Sequence, residues 1–147
     1  MRPILRLVLG PALALTLAGC GGTSPASPAA PAAIVDLTGI WNETGGSVTW
    51  RLAQGGAGVT GTSSFSQDNG RFIGAVSGQG TVTGTVADGA FSFTDTYATL
   101  SRPNCSLVVT GSLVISGNQM AGRYQEVDFC DGAMLGTVNG TIALRKQ

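Results

Sequence analysis

Two acidic and two phenolic side chains share the apolar faces of two predicted strands, and they are the residues best suited to do chemistry in this chain. Asp95 alternates with aromatic residues along one strand, and Glu126 stands two residues after Tyr124 along another. Because side chains alternate between the faces of a strand, each carboxyl is predicted to point inward with its apolar neighbours. An interior carboxyl must be paired, protonated or close to a mouth. The candidate ligand-pocket residues are Trp50, Phe91, Phe93, Asp95, Tyr97, Tyr124 and Glu126.

These two acids admit a chemical and a structural interpretation. Paired carboxylates at a fixed separation across a cleft can hydrolyse a glycosidic bond, but nothing in the sequence sets the separation between Asp95 and Glu126. The simpler explanation is that both lie at strand ends, where polarity returns. A second acidic group, formed by Glu126, Asp128 and Asp131, has oxygens that a Ca²⁺ ion would accept. A solvated turn is the more frequent meaning of such a group, so the sequence predicts no metal site.

The remaining inventory excludes several classes of enzyme and partner. The 147 residues contain no His, which rules out an imidazole base and a His-bound zinc. No Gly-x-Ser-x-Gly elbow occurs, and the glycine-rich stretch at residues 56–61 leads into a predicted strand rather than a phosphate-binding helix. Eight Lys and Arg balance eight Asp and Glu, without the basic excess typical of nucleic-acid binding. The chain is therefore predicted not to be an enzyme and to need no cofactor.

The two cysteines of the predicted domain, Cys105 and Cys130, are expected to form a disulfide. An even pair in an exported chain favours a bridge, and the alternative is two free thiols. The bridge would join the open end of one hairpin. Closing a loop of 25 residues constrains the unfolded chain by about 3.5 kcal/mol in the loop-entropy model.

The N-terminus predicts export and a membrane anchor. Basic residues precede an apolar stretch at residues 7–17, which is too short to span a bilayer, and residues 1–19 have the layout of a signal peptide. Leu17-Ala18-Gly19-Cys20 resembles the lipobox of bacterial lipoproteins. The resemblance implies cleavage before Cys20, fatty acyl chains such as palmitate on that residue, and a place in the cell envelope. Gly21 after the cysteine resembles an outer-membrane address in bacteria with two membranes.

Residues 20–33 and 34–147 have different compositions. The first segment begins with the lipidated cysteine, is rich in Pro and Ala, carries no charge, and is predicted to be an extended tether. The second alternates apolar and polar residues in short runs, separated by turn pairs such as Asp88-Gly89. About eight to nine strands with short connections predict an all-β domain, a small antiparallel meander β-barrel.

The start of this domain also resembles a known group of barrels. Gly39-Ile40-Trp41 looks like the Gly-x-Trp opening of the lipocalin and avidin (calycin) families, in which a basic residue of the last strand packs over the tryptophan. The resemblance implies that Gly39, Trp41 and Arg145 close the barrel base. It places Glu43 and Ser63 where avidin has asparagine and tyrosine ligands, which counts against biotin.

These observations predict a membrane-anchored, non-enzymatic lipoprotein that binds a small apolar ligand in or at its barrel. The alternative is a protein-binding module, such as a hydrolase inhibitor or an envelope scaffold, that uses its loops. The candidate contacts are then Pro103-Asn104 and the loop at residues 131–135 with Met134.

Overall fold

The computed structural model describes residues 35–70 and 74–147, which form a closed eight-stranded antiparallel β-barrel. The strands follow one another around the barrel in chain order, and the first pairs with the last. Their bounds are β1 Gly39–Glu43, β2 Thr49–Gly55, β3 Gly58–Gly70, β4 Gly74–Ala87, β5 Ala90–Thr99, β6 Cys105–Ser116, β7 Gln119–Cys130 and β8 Ala133–Lys146. The predicted all-β meander barrel is confirmed, with eight strands.

The predicted signal peptide at residues 1–19, the lipidated Cys20 and the tether at residues 20–33 lie outside the described residues. Within the described ranges, no helix is long and apolar enough to cross a membrane.

Two-residue turns connect β4 to β5 and β7 to β8. Asp88 and Gly89 have φ of 50° and 75°, and Asp131 and Gly132 have φ of 51° and 78°. A two-residue hairpin turn with positive φ at both central residues matches the twist of the flanking strands. The Asp-Gly pair readily adopts this conformation. The loop predicted at residues 131–135 is therefore too long, because β8 begins directly after Gly132.

The apolar faces of the strands form two clusters inside the barrel. The larger one fills the end at which Leu37 and Trp41 are both fully buried, and we call this the Trp41 end. The smaller one contains Phe65 and Tyr97 and adjoins Cys105, and we call this the disulfide end. Since hairpin turns alternate between the two ends, the β1–β2, β5–β6 and β7–β8 connections all lie at the disulfide end.

The Trp41 end is closed by a lysine rather than by the predicted arginine. Lys146 is the direct β-ladder partner of Trp41, and its Nζ lies 5.7 Å from the centre of the Trp41 ring. Arg145 pairs with Asn42 and is exposed. Successive side chains of a strand point to opposite faces of the sheet. Because Leu144 is buried inside the barrel, Arg145 points outward and Lys146 points inward, over the barrel end.

The predicted disulfide between Cys105 and Cys130 is confirmed. The two residues begin β6 and end β7, and they are ladder partners with Cα atoms 4.1 Å apart. The bridge therefore fixes the hairpin at the point where its strands would otherwise fray.

Unequal strand lengths leave the disulfide end partly open on one side. β1 has 5 residues and pairs with β8 only at the end of that strand, from Leu144 to Lys146. The earlier part of β8, residues 133–142, has no ladder partner on the β1 side within the described chain. The barrel wall is consequently lower here, next to the connection between β1 and β2.

Candidate functional site

A cavity of about 80 Å³ lies inside the barrel toward the disulfide end. Its lining reaches the exposed Ser47 in the β1–β2 connection, on the lower side of the wall. Six of the seven predicted pocket residues line it: Trp50, Phe93, Asp95, Tyr97, Tyr124 and Glu126. The seventh, Phe91, is not part of the lining. It is fully buried in the larger apolar cluster, with its ring centre 6.2 Å from that of Trp50.

The two predicted acids lie at the same level of the barrel wall. Asp95 of β5 pairs with Val109 of β6, and Val109 pairs with Glu126 of β7. Neighbouring strands are about 4.8 Å apart, so the backbones at the two acids are separated by about 10 Å. Both carboxyls therefore face one cavity from strands that flank Val109.

Asp95 is held by side chains from three other positions. Trp50 Nε1 donates a hydrogen bond of 2.9 Å to Oδ2, and Ser63 Oγ donates one of 2.6 Å to Oδ1. The Tyr97 side chain is also hydrogen-bonded to this carboxyl. Asp95 is 0% exposed, so these partners supply the polar contacts that water would otherwise make.

Burial shifts the titration of both groups in this network. The pKa of Asp95 is raised from its ordinary value because burial penalises the charged carboxylate, although the hydrogen bonds from Ser63, Tyr97 and Trp50 partly offset this. The pKa of Tyr97 is also raised, first by burial and then by the charge of Asp95. Tyr97 is therefore a neutral phenol that can act as a hydrogen-bond donor.

The other acidic group differs from the predicted solvated turn. Asp128 is only 2% exposed and lies within β7, whereas Asp131 is exposed in the turn. Burial raises the pKa of Asp128, and a hydrogen bond with Glu126 acts in the opposite direction. Asp128 Oδ1 has no hydrogen-bond partner. Among the described residues, no group of acidic, Cys or His side chains is arranged to hold a metal ion.

Aromatic rings form much of the cavity wall, and glycines on neighbouring strands make room for them. The Trp50 and Phe93 rings meet edge to face at 4.9 Å, and Phe65 meets Tyr97 at 4.7 Å. A Cβ added at Gly140 would lie 2.6 Å from Cζ of Tyr124. A larger residue at this facing position of β8 would therefore force the Tyr124 ring to move.

A third acid of the cavity lining, Glu43, stands at the mouth of the cavity. Its Oε2 accepts hydrogen bonds from the backbone N–H groups of Ser47 at 3.1 Å and Val48 at 3.3 Å. The Ser47 hydroxyl bonds the backbone oxygen of Ser66 and so ties this connection to β3. The carboxylate is thereby fixed against the mouth.

The pocket prediction omitted several lining residues, among them Phe65 and Glu43, and it omitted Ser63, which bonds Asp95. Ser63 and Phe65 continue the period-two face that begins at the buried Val59, so alternation alone would have placed them inside. Glu43 ends a strand of only 5 residues, where periodicity carries little information.

The arrangement combines an enclosed apolar wall with fixed acidic groups, which is the general form of a small-molecule binding site. Both Asp95 oxygens already accept bonds from the chain's own side chains, which favours a fixed polar wall over a proton-transfer group.

Comparison of the chain with protein-family models, curated proteins and solved structures gives no match. A functional proposal for this chain therefore rests on the geometry of the cavity.

Proposed function

We propose that this chain is a membrane-anchored, non-enzymatic envelope lipoprotein that binds one small ligand in its barrel cavity. The observation that carries the proposal is the cavity itself, which joins aromatic walls, an exposed rim at Ser47 and buried polar groups already fixed by hydrogen bonds. Such a preformed site loses little conformational entropy when it is filled. The anchor rests on the lipobox at residues 17–20.

The size of the cavity limits the ligand. Drug-sized ligands occupy pockets of about 300–1,000 Å³, and this cavity is several times smaller. The ligand is therefore a small molecule, or the head of a longer one whose remainder leaves through the mouth. The aromatic walls bury its apolar surface, which is the main favourable contribution to its binding.

A cavity-filling variant tests this proposal. Val109 lies between the two acids and lines the cavity, and Val109→Phe should fill it. Val114 of the same strand is 67% exposed, so Val114→Phe is the matched control. In native mass spectrometry of protein purified from its own envelope, a small bound mass should be retained by the wild type and by Val114→Phe. It should be absent from Val109→Phe, and equal retention in all three would refute the cavity as the site.

A protein-binding function is a second candidate, because three large apolar side chains are exposed at the disulfide end. Leu100 is 65% exposed near the β5–β6 connection, and Met134 and Leu135 are 64% and 42% exposed at the start of β8. Apolar groups gathered at one end of a protein often mark a contact surface. Replacing Leu100 and Met134 by Ser should abolish a specific crosslinked partner if this candidate is correct, and should leave ligand retention unchanged.

A further inference from the structure

We infer that two copies of this chain pair through the open edge of β8, about a twofold axis at Asn139. The inference goes beyond the proposed ligand site, because residues 137–141 of that edge do not line the cavity. It is drawn from the backbone groups of the edge, from the side chains along it, and from the register in which the edge is complementary to itself.

Three residues of β8 direct their backbone groups toward the open side of the strand. Ala143 O accepts a hydrogen bond of 2.8 Å from Thr44 N, so the backbone groups of Ala143 face the β1 side. Because these groups alternate in direction along a strand, those of Thr137, Asn139 and Thr141 face the same side. β1 does not reach these three residues, and the described chain provides them no ladder partner there. All three are exposed, so their donors and acceptors form an edge that a further strand can join.

The side chains along this edge do not prevent such pairing. Residues 133–142 contain no charged residue and no proline, which are the residues that most often protect an edge strand. The β-bulge of β8 lies near the start of the strand, at Leu135, and residues 136–145 pair with β7 in regular register. An uncharged edge is also what self-pairing requires, since a charge near the axis would meet its own copy.

One antiparallel register uses all three of these residues. It places Asn139 opposite the same residue of the second copy, and Thr137 opposite Thr141 on both sides of the axis. Each opposed pair exchanges two backbone hydrogen bonds, so this register forms about six between the copies. Threonines that face each other across strands add a favourable side-chain contact. The register has twofold symmetry, as is usual for a homodimer.

The same axis brings an apolar projection of one copy to a groove of the other. Met134 and Leu135 are 64% and 42% exposed at the start of β8. A surface groove of about 600 Å³ lies beyond the other end of the paired segment, and Ala121 and Ala143 contribute to its lining. Leu135 and Ala143 stand equally far from Asn139 in sequence, so the axis places Leu135 of one copy opposite Ala143 of the other. The projection meets the groove twice in one dimer, which favours a second copy over an unrelated strand.

The predicted tether at residues 20–33 is a poorer occupant of this edge. It contains Pro25, Pro28 and Pro31, and proline has no N–H to donate to a ladder. Because these prolines stand at both odd and even positions, a strand formed by this segment would lack donors on both of its sides. The second copy instead offers the uninterrupted residues 137–141.

Cysteine crosslinking of the full protein in non-ionic detergent tests the register directly. Opposed residues of a hydrogen-bonded antiparallel pair have Cα atoms about 5.5 Å apart, which is within the range of a disulfide. Under mild oxidation, Asn139→Cys should therefore form a covalent dimer, and the wild type should not. Thr137→Cys is the matched control on the same face of the same strand. Its two copies would lie more than about 13 Å apart, so it should crosslink only when mixed with Thr141→Cys.

A charge placed at the axis should separate the copies. The interface belongs to the class below about 1,200 Å² that forms weak complexes, so sedimentation of the wild type should show dimers at about 100 µM protein. Asn139→Lys opposes two like charges and should weaken the dimer at least about tenfold. Thr83→Lys, the same kind of change on the exposed face of β4, should leave it intact.

Four results would overturn the inference: a wild type that stays monomeric at that concentration, an Asn139→Cys protein that does not crosslink, equal crosslinking of Thr137→Cys alone, or equal dimerisation of the two lysine variants. The proposed ligand site is judged separately, by whether Val109→Phe abolishes the mass retained from the envelope.

Discussion

Replacing Asp95 by Asn should change the pH dependence of stability while keeping the hydrogen-bond network. Trp50 Nε1 can only donate, so it keeps the amide oxygen as its acceptor. The Ser63 hydroxyl can rotate to accept from the amide NH₂. These two buried hydrogen bonds therefore persist. Near pH 3, the free energy of unfolding of the variant should lie within about 1 kcal/mol of that of the wild type.

The two proteins should diverge as the pH rises. Burial raises the pKa of Asp95 above 3.8, so the unfolded chain loses its proton first and the folded protein keeps it longer. An acid whose pKa is raised in the folded state contributes stability at low pH and loses it as the pH increases toward that raised pKa. One such group changes the free energy of unfolding by at most about 1.4 kcal/mol per pH unit. Asp95→Asn should therefore be more stable than the wild type at pH 8.

Urea unfolding of the full protein between pH 3 and pH 8, followed by tryptophan fluorescence, measures this difference. Asp128 also has a raised pKa and contributes a slope of the same sign, so the relevant quantity is the wild type minus the variant at each pH. Asp88→Asn is the control, because Asn accepts the positive φ of that turn. Parallel curves for the wild type and Asp95→Asn would refute the argument from burial. A gain in stability at pH 8 would show that the wild-type carboxyl is retained although it lowers stability.

Three further predictions concern the bridge, the glycines and the anchor. Replacing Cys105 and Cys130 together by Ala should lower the free energy of unfolding by up to about 3.5 kcal/mol, measured by urea denaturation, because the 25-residue loop is released; an unchanged midpoint would contradict this. Gly140→Ala should cost about 1–3 kcal/mol in the same assay through its clash with the Tyr124 ring, whereas Gly55→Ala, with nothing within 4 Å, should be nearly neutral. Labelling cells with an alkyne analogue of palmitate should mark the wild type and leave Cys20→Ala unmarked, and label on both would exclude Cys20 as the acylated residue.

The barrel could be predicted because its signals are local and repeated. The buried Val82 and Val86 alternate with the exposed Thr83 and Thr85, and the Asp88-Gly89 pair ends the strand in the turn it favours. Each of these features depends only on residues that are close in sequence. A single sequence is therefore enough to predict them.

The features that were wrong or missed depend on where a strand ends or on contacts across the barrel. Assigning Arg145 rather than Lys146 to Trp41 was an error of one register position, and a one-residue slip turns every side chain to the other face. Asp128 could not be recognised as buried because a carboxyl near a turn looks the same in sequence whether it is solvated or enclosed. Ser63 bonds Asp95 across 32 positions of sequence, and no local pattern encodes that contact.

The polar face of the pocket could be predicted only in part, because it too depends on strand ends and on pairing between strands. Alternation indicated that Asp95 and Glu126 face inward, but their separation depends on the register of β5, β6 and β7. Glu43 lines the cavity from the end of β1, a strand of 5 residues in which alternation gives little information.

The most direct test of the cavity as the ligand site is the pair of indole signals in a ¹⁵N–¹H spectrum of the full protein. The protein is freed of bound molecules and then titrated with the small-molecule extract of its own envelope, and Trp50→Phe assigns the two signals. A ligand in the cavity should move the Trp50 signal, whose N–H bonds to Asp95, and leave the Trp41 signal in place. If both signals stay fixed, or if only the Trp41 signal moves, the cavity is not where this protein binds its ligand.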